Sequence, residues 1–596
     1  MKNILIASSI TLIVLLTACN DEFLDRVPKT SIGIENFFQS EEDLRMYTYN
    51  FYDFPGPMIM GDDGEGTDNM GNTSSYELRN MMLSPDPSSS TVSGGWNWSK
   101  LRSINIFLDN YQRAELSEEV LAHYEGVARF FHAKFYMGKV KRFSDVPWYD
   151  TEIGTADDDL LFKARDSREF VVDKIFEDYA FAAANVWDDE PVGAVSKWIV
   201  LTYQARHALH EGTYRKYHSE LEMESTADSY LELARDAAKE IMDNGPFSIH
   251  NTGKPESDYG SLFSSFDLTS NDEVILPTVS EYNVKNHTGI IYYNEWVFGD
   301  YDVSMSKNLM QDYLMIDGTP YTQQEGYETK LFVEEFIDRD PRLSQTFAYP
   351  GWENYSYGTY IQTLNTNFTG YHNIKAWIDS GNSEVYQNTD YPALRLAEVL
   401  LIYAEARAEL GELSQEDLDI TINELRDRAG MPHLSMGVAI DPVQQARYPD
   451  VSSAELLEIR RERRIELVNE GFRYDDLMRW GAGKIIEKEP LGIYFPDLGK
   501  YDLTGDSIED IILIGINESI PPAAEKDTNA LGVTLIYYRT GEVNSDATIW
   551  LTNGTEGYMI SDVERGTFVE PKYYYRPVPE HDVRINPNLT QIFGWN

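Results

Sequence analysis

Beyond residue 19 the chain has no cysteine: Cys19 is the single one in 596 residues. Disulfides within the chain are therefore excluded, as is a zinc site built from thiolates. Basic residues are scarce as well, 50 Lys and Arg against 99 Asp and Glu, for a formal net charge of −49. Phosphate-bearing partners demand a basic footprint, so nucleic acid and anionic membrane surfaces match poorly, and a neutral or cationic ligand suits the balance better. The ten histidines form no HExxH motif and no pairing with acids at zinc spacing. No G-x-S-x-G elbow or phosphate loop occurs. Nothing in these patterns argues for an enzyme or for a cofactor.

What the chain does have begins with a leader. Lys2 precedes an apolar run from Ile4 to Ala18, short of the about 20 residues that cross a bilayer but shaped like a secretory signal. It ends in Leu16-Thr17-Ala18-Cys19, which resembles a bacterial lipobox. Residues 1–18 are thus expected to be removed and Cys19 to be acylated, each buried methylene of the lipid strengthening the anchor by about 0.8 kcal/mol. Residues 19–31 read as a lipidated tether. The remainder, 32–596, reads as one large domain, because no low-complexity linker divides it.

Helical periodicity fills the part from about 32 to 250. Leu121, Tyr124, Ala128, Phe131 and Phe135 step by three and four, as do Val172, Ile175, Tyr179, Ala182 and Val186. Trp198, Leu201, Ala205 and Ala208 repeat the pattern, and Tyr230, Ala234, Ala237 and Ile241 close it before Asn244-Gly245-Pro246. Consecutive amphipathic helices with short connections predict stacked helical hairpins. Residues of about 251–390 are rich in Gly, Ser, Thr, Asn and aromatics and predict loops with short strands. In the last part, 391–596, helix returns with Leu394, Ala397, Leu401, Ala404 and Ala408 and with Thr421 to Ala429 before Gly430. After Gly481 a loop-rich tail carries at least one apolar strand at Ile511–Ile514. The expected fold class is mainly α, with a loop-rich region of short strands.

One stretch breaks the acidic trend: RRERRIELVNEGFRYDDLMRW, residues 460–480, with six arginines against five acids. It is expected to be a helix with Glu462, Glu466 and Glu470 on one face and Arg460, Arg463, Arg464 and Arg473 close by. Two of these glutamates could be taken for the acid and base of a glycoside hydrolase. That pair, however, sits about 5–10 Å apart across a cleft, and adjacent guanidiniums would keep these carboxyls ionised. An anion site is a second reading, weakened by the near-neutral local balance. Arginine's planar fork bonds two acceptors at once, so the reading taken is a partly buried ion-pair network tying this helix to its neighbours. Asp62–Asn69 (DDGEGTDN) holds oxygens of the kind calcium takes but not in EF-hand order, and reads as a solvated acidic loop without metal.

Aromatic loops are the remaining source of ligand contacts. Flat rings stack on the apolar C–H faces of sugars while neighbouring polar groups bond the hydroxyls. Trp96 and Trp98 in GGWNWSK, and Tyr292, Tyr293, Trp296, Phe298 and Tyr301 in IIYYNEWVFGDY, are the candidates. Core packing is the ordinary alternative for each single ring.

Several segments in order, CNDEFLD, SIGIENFFQSEEDL, WNWSKLRSINIFLDN, FSDVPWYD, ALHEGTYRKYH, DPRLSQTF, YPALRLAEVLLIYAEARAELG, the arginine-rich stretch and NPNLTQIFGWN, resemble the SusD/RagB outer-membrane lipoproteins of Bacteroidetes. Two positions depart from that pattern: Ser144 stands where Gly often precedes Asp-Val-Pro, and Ile592-Phe593-Gly594-Trp595 stands where Asn-Pro-Gly-Trp is usual. The resemblance implies a SusD-like fold of tetratricopeptide-like helix pairs whose loops form a ligand face. It also implies a lipid-anchored protein displayed on the cell surface, with Asp21-Glu22 as the acidic export signal. Such a protein would bind glycans without cleaving them, from loops in broadly the two aromatic regions named, and deliver them to a SusC-like TonB-dependent outer-membrane transporter. Peptide capture, known in the same family, is the first alternative, and glycoside hydrolysis a more distant one.

Overall fold

The computed structural model describes residues 37–56, 67–71, 77–281, 304–355, 358–561 and 564–595. Several of its helices begin where short polar side chains take up free amides. Ser40 precedes α1 (Glu41–Thr48) in a reciprocal capping box with Asp43. After α2 (Ser99–Asn110), the Ser117 hydroxyl accepts from the Val120 amide and starts α3 (Glu118–Phe143). At 26 residues, α3 is about 39 Å long by the rise of an α-helix. Ser167 caps α4 (Arg168–Asn185) in the same way. α5 (Lys197–Tyr217) and α6 (Ala227–Asn244) complete the first half.

These helices stand where the three-and-four spacing predicts them. α3 packs against α4 and α5 against α6, while α4 also meets α5, and α6 meets α7 (Leu396–Glu409), so that hairpins stack side by side. Gly212 lets α5 and α6 approach closely: a Cβ there would lie 2.8 Å from Leu231 Cγ. A shared core runs through the stack, with Phe107, Phe131, Tyr179, Leu231, Ile241 and Leu401 all buried. Every residue of α7 from Leu396 to Ala406 is buried, as a helix covered on all sides must be.

α3 ends at Ser144, whose backbone takes φ 60° and ψ −94°, a conformation that suits glycine. Its side chain is fully buried and its hydroxyl makes no hydrogen bond. The departure noted in the sequence thus falls on a position where the backbone itself favours Gly.

The arginine-rich stretch is not one helix, as the sequence reading had it, but two. α9 (Ala454–Glu466), which follows α8 (Ile422–Ala429), stops at Glu466, and α10 (Arg473–Arg479) begins after a turn. In that turn Asn469 has φ 58° and Gly471 φ 81°; Asn and Gly are the residues that enter left-handed backbone most easily, so Val-Asn-Glu-Gly encodes the break. Glu470 consequently lies off the helix face that carries Glu462 and Glu466.

β1 (Val274–Thr278) pairs antiparallel with β2 (Tyr391–Arg395), which runs directly into α7. Leu394 therefore belongs to a strand rather than to the helix stripe. The tail holds β3 (Tyr494–Phe495), β4 (Gly499–Tyr501), β5 (Ile511–Gly515), β6 (Ile536–Gly541), β7 (Ile549–Leu551) and β8 (Gly557–Ile560). They form one mixed sheet in the order β3-β8-β7-β6-β5-β4, with β6 parallel to both its neighbours. Most of these strands are too short to display an alternating pattern, so only β5 was readable as apolar sequence. Ile511, Leu513, Tyr538, Ile549, Leu551 and Met559 build a second core beneath the sheet.

Candidate functional site

Most charges of 460–480 reach outward, while Arg463 and Arg479 meet Asp476 within the stretch. Glu462 and Glu466 lie one turn apart on α9, and both meet Arg342, at 2.5 Å and 3.0 Å. Glu466 also holds Arg428 and Arg395, each at 2.6 Å, and Glu462 holds Arg426 at 3.1 Å. Glu470 takes Arg395 and Lys375, both at 2.7 Å. The arginines point elsewhere: Arg460 to Glu409 at 3.2 Å, Arg463 to Asp476 at 2.9 Å, Arg473 to Asp68 at 2.7 Å. Arg464 joins Asp68 at 2.9 Å and also pairs with Asp312. All of these side chains are buried, beyond the partial burial expected.

That burial would raise the Glu466 carboxyl, but Arg428, Arg395 and Arg342 together hold it well below the usual carboxylate range. Burial likewise opposes ionisation of Asp312, and Arg447 with Arg464 overrides it, bringing the group down to about 2. Carboxyls held ionised in this way lack the proton a general acid must donate.

The expected solvated loop at 62–69 needs a correction. Residues 62–66 lie outside the described residues, but Thr67, Asp68 and Asn69 are buried. Asp68 is drawn in because two guanidiniums, Arg464 and Arg473, supply the partners a buried carboxylate requires. Among the described residues no group of three or more His, Cys, Asp or Glu gathers as a metal site.

A pocket of about 420 Å³ opens between α3, α5 and the 470–475 turn. Its ionic groups are already partnered: Lys134 with Asp53 at 2.6 Å, Lys141 with Asp475 at 2.5 Å, Arg206 with Glu398 at 2.6 Å. It therefore offers few unsatisfied groups to a ligand.

The aromatic candidates divide. Tyr292, Tyr293, Trp296, Phe298 and Tyr301 lie outside the described residues, as does Cys19. Trp96 and Trp98 meet edge-on, ring centres 5.2 Å apart. Trp96 packs on Phe143 at 4.8 Å, and Trp98 on Phe135 and Tyr149 at 5.7 and 5.8 Å. Lys139 on α3 pins this loop: its amine donates to the Asn97 carbonyl at 2.7 Å and lies 5.2 Å from the centre of the Trp98 ring. Much of both indoles is thereby committed to the scaffold.

A ring cluster missed in the sequence lies at 348–381. Tyr355, 51% exposed, stacks with Trp377 at 6.4 Å and 17° between planes. Trp377 meets Trp352 edge-on at 5.9 Å, and Trp352 meets Tyr360 at 5.7 Å. Asp379 accepts from the Tyr355 amide at 2.7 Å and fixes the turn beneath the ring. Gly381 lets the ring lie close: a Cβ there would come within 2.8 Å of the Tyr355 ring. A half-exposed ring stacked on a partly buried indole, with exposed Asp379 bonded to the tyrosine's backbone amide, has what a flat polyhydroxylated ligand needs. The signal was present in GWENYSYGTY (351–360), where one Trp and three Tyr recur at short intervals.

The family model of the SusD family matches residues 263–595. Two SusD-like proteins of Formosa agariphila are similar along most of their length: one is 22% identical over 77% of this chain and 87% of its own, the other 24% over 80% and 92%. Among solved structures, a SusD-like protein of Bacteroides fragilis has a TM-score of 0.64 at 19% identity, covering 96% of this chain and all (100%) of its own. A SusD-like carbohydrate-binding protein of the same organism has a TM-score of 0.64 at 21% identity, covering 93% and 100%. These structures share the fold described above, mainly α with short strands. With the family model spanning more than half of its residues, the chain belongs to the SusD family.

Proposed function

We propose that this protein is a cell-surface lipoprotein, anchored in the outer membrane through Cys19, that binds an oligosaccharide without cleaving it. It hands that ligand to a SusC-like TonB-dependent transporter. Membership of the SusD family supports the nutrient-binding role, and the carbohydrate binding ascribed to one structural neighbour supports the ligand class. The observation that carries the reading for this chain is the Tyr355–Trp377 stack: a large apolar ring left half in water at the loop-rich side of the fold. Trp96, Trp98 and the ring-rich 292–301 segment are proposed as further contacts. The paired, ionised carboxylates of 460–480 are proposed to hold the scaffold and take no part in chemistry.

Calorimetric titration against a panel of polysaccharides, with reducing-end release followed in parallel, tests this reading. Binding of a glycan with no release of reducing ends is expected. Binding of peptides alone would favour the second reading, peptide capture, for which the net charge of −49 is the motivating observation. Release of reducing ends would establish an enzyme.

A further inference from the structure

At the N-terminal end of the fold, a pocket of about 260 Å³ lies between α1, the start of α3 and the segment 187–195. Rings form its walls. Tyr49, 51% exposed, meets Tyr52 edge-on at 5.5 Å, and Trp187 stacks on the His123 imidazole at 3.8 Å with 12° between planes. Three carboxylates also line it, Glu41, Asp189 and Glu190, against one cationic side chain, Arg45, which is paired with Glu42.

Glu190 is the group left without an answer. Its side chain is only 13% exposed, and the closest basic nitrogen is His123 Nε2 at 3.6 Å, beyond hydrogen-bond length. His123 does not supply a charge there. Its Nδ1 accepts from the Trp187 amide at 3.2 Å, which places the ring proton on Nε2, and burial pushes the imidazole down to about 4. His123 is 3% exposed, and its Nε2 faces the Glu190 carboxyl across 3.6 Å. The Glu190 carboxyl is raised by burial first and by Asp189 and Glu41 next, with Arg45 opposing them more weakly. Both effects would be relieved by a positive charge in the pocket.

We propose that this pocket binds a cationic amine, its positive group seated against Glu190 and beside the rings of Tyr49 and Trp187. Aromatic faces combined with an uncompensated carboxylate are the chemistry that recognises an ammonium group. The chain's overall negative charge would draw such a ligand in. A peptide's lysine side chain and an amino sugar share this chemistry. The proposal stands apart from the Tyr355–Trp377 platform and does not depend on it.

The test titrates the intact chain with Nα-acetyl-lysine amide, with glucosamine and with neutral N-acetylglucosamine, reading calorimetry and tryptophan fluorescence. At least one amine is expected to bind while the neutral sugar does not, and the stronger amine identifies the source. Glu190→Gln is expected to weaken that binding by about tenfold, the scale of one charge-assisted contact, with unchanged melting. Tyr49→Ala, at a half-exposed position that tolerates truncation, should weaken it severalfold, whereas Tyr355→Ala should leave it intact. Equal binding of the neutral sugar, no binding of either amine at millimolar concentration, or full affinity in Glu190→Gln would overturn the proposal.

Discussion

The segments 454–479 and 348–381 handle their side chains in opposite ways. In the first, Arg460, Glu462, Arg463, Arg464, Glu466 and Arg473 are all buried, Arg463 answered by Asp476 within the segment and the others by charges from other parts of the chain. In the second, large rings that could have been buried stay partly in water, led by Tyr355. Burying a charge costs several kcal/mol unless partners are in place, so the first segment forces distant elements into fixed positions. The second segment leaves apolar surface open, which a scaffold gains nothing from and a ligand can use. The most charged stretch of this protein organises the fold, and the surface that can do binding work lies among rings that carry no charge.

The comparison breaks most visibly at Glu466. Glu466→Ala leaves Arg342, Arg395 and Arg428 buried without their shared partner and is expected to cost about 3–5 kcal/mol, seen as a lowered denaturation midpoint or loss of folded protein. Tyr355→Ala should move the same midpoint by less than about 0.5 kcal/mol, as exposed substitutions do.

Acid should separate the two regions next. Asp312, Glu466, Glu470 and Asp476 have depressed carboxyls in the folded state: burial opposes this in each, and the arginines around them prevail, joined at Glu470 by Lys375. A carboxyl depressed on folding stabilises above its unfolded value near 4 and loses that contribution as pH falls toward its folded value. For Asp312, brought to about 2, the loss is about 2 kcal/mol between pH 4 and pH 2. Circular dichroism against pH should show cooperative unfolding in that window, and a fold unchanged at pH 2 would contradict the network's role.

Truncating the platform should touch binding instead. Tyr355→Ala or Trp377→Ala is expected to weaken glycan affinity by about tenfold, the scale of a lost aromatic contact. The smallest effect runs in the stabilising direction. Ser144→Gly relieves a left-handed backbone and removes a buried hydroxyl that makes no hydrogen bond, and should add about 1 kcal/mol in chemical denaturation.

Much of the fold was legible because helices announce themselves locally. The spacing of Leu121 to Phe135 or Tyr230 to Ile241 needs nothing beyond its own segment, and Asn244-Gly245 marks its own stop. The break between α9 and α10 was written in Asn469 and Gly471 but hidden by the charge pattern around them. The sheet from β3 to β8 was mostly invisible, since four of its six strands have two to four residues and such strands are recognised by their partners and not by their sequence. The partners of Glu466 were equally out of reach: Arg342, Arg395 and Arg428 carry nothing in sequence that links them to it. At the site, ring density drew attention to 292–301. The Tyr355–Trp377 stack, whose members are separated by a turn through Tyr360 and Tyr371, becomes a pair only after folding.

The most direct test of the account is calorimetric titration of a bound polysaccharide into the wild-type chain, Tyr355→Ala and Glu462→Gln, each with a parallel melting curve. The account predicts that Tyr355→Ala melts like wild type and loses about tenfold in affinity, while Glu462→Gln melts lower and, wherever folded, binds like wild type. Full affinity in Tyr355→Ala, or lost binding with unmoved melting in Glu462→Gln, would contradict it.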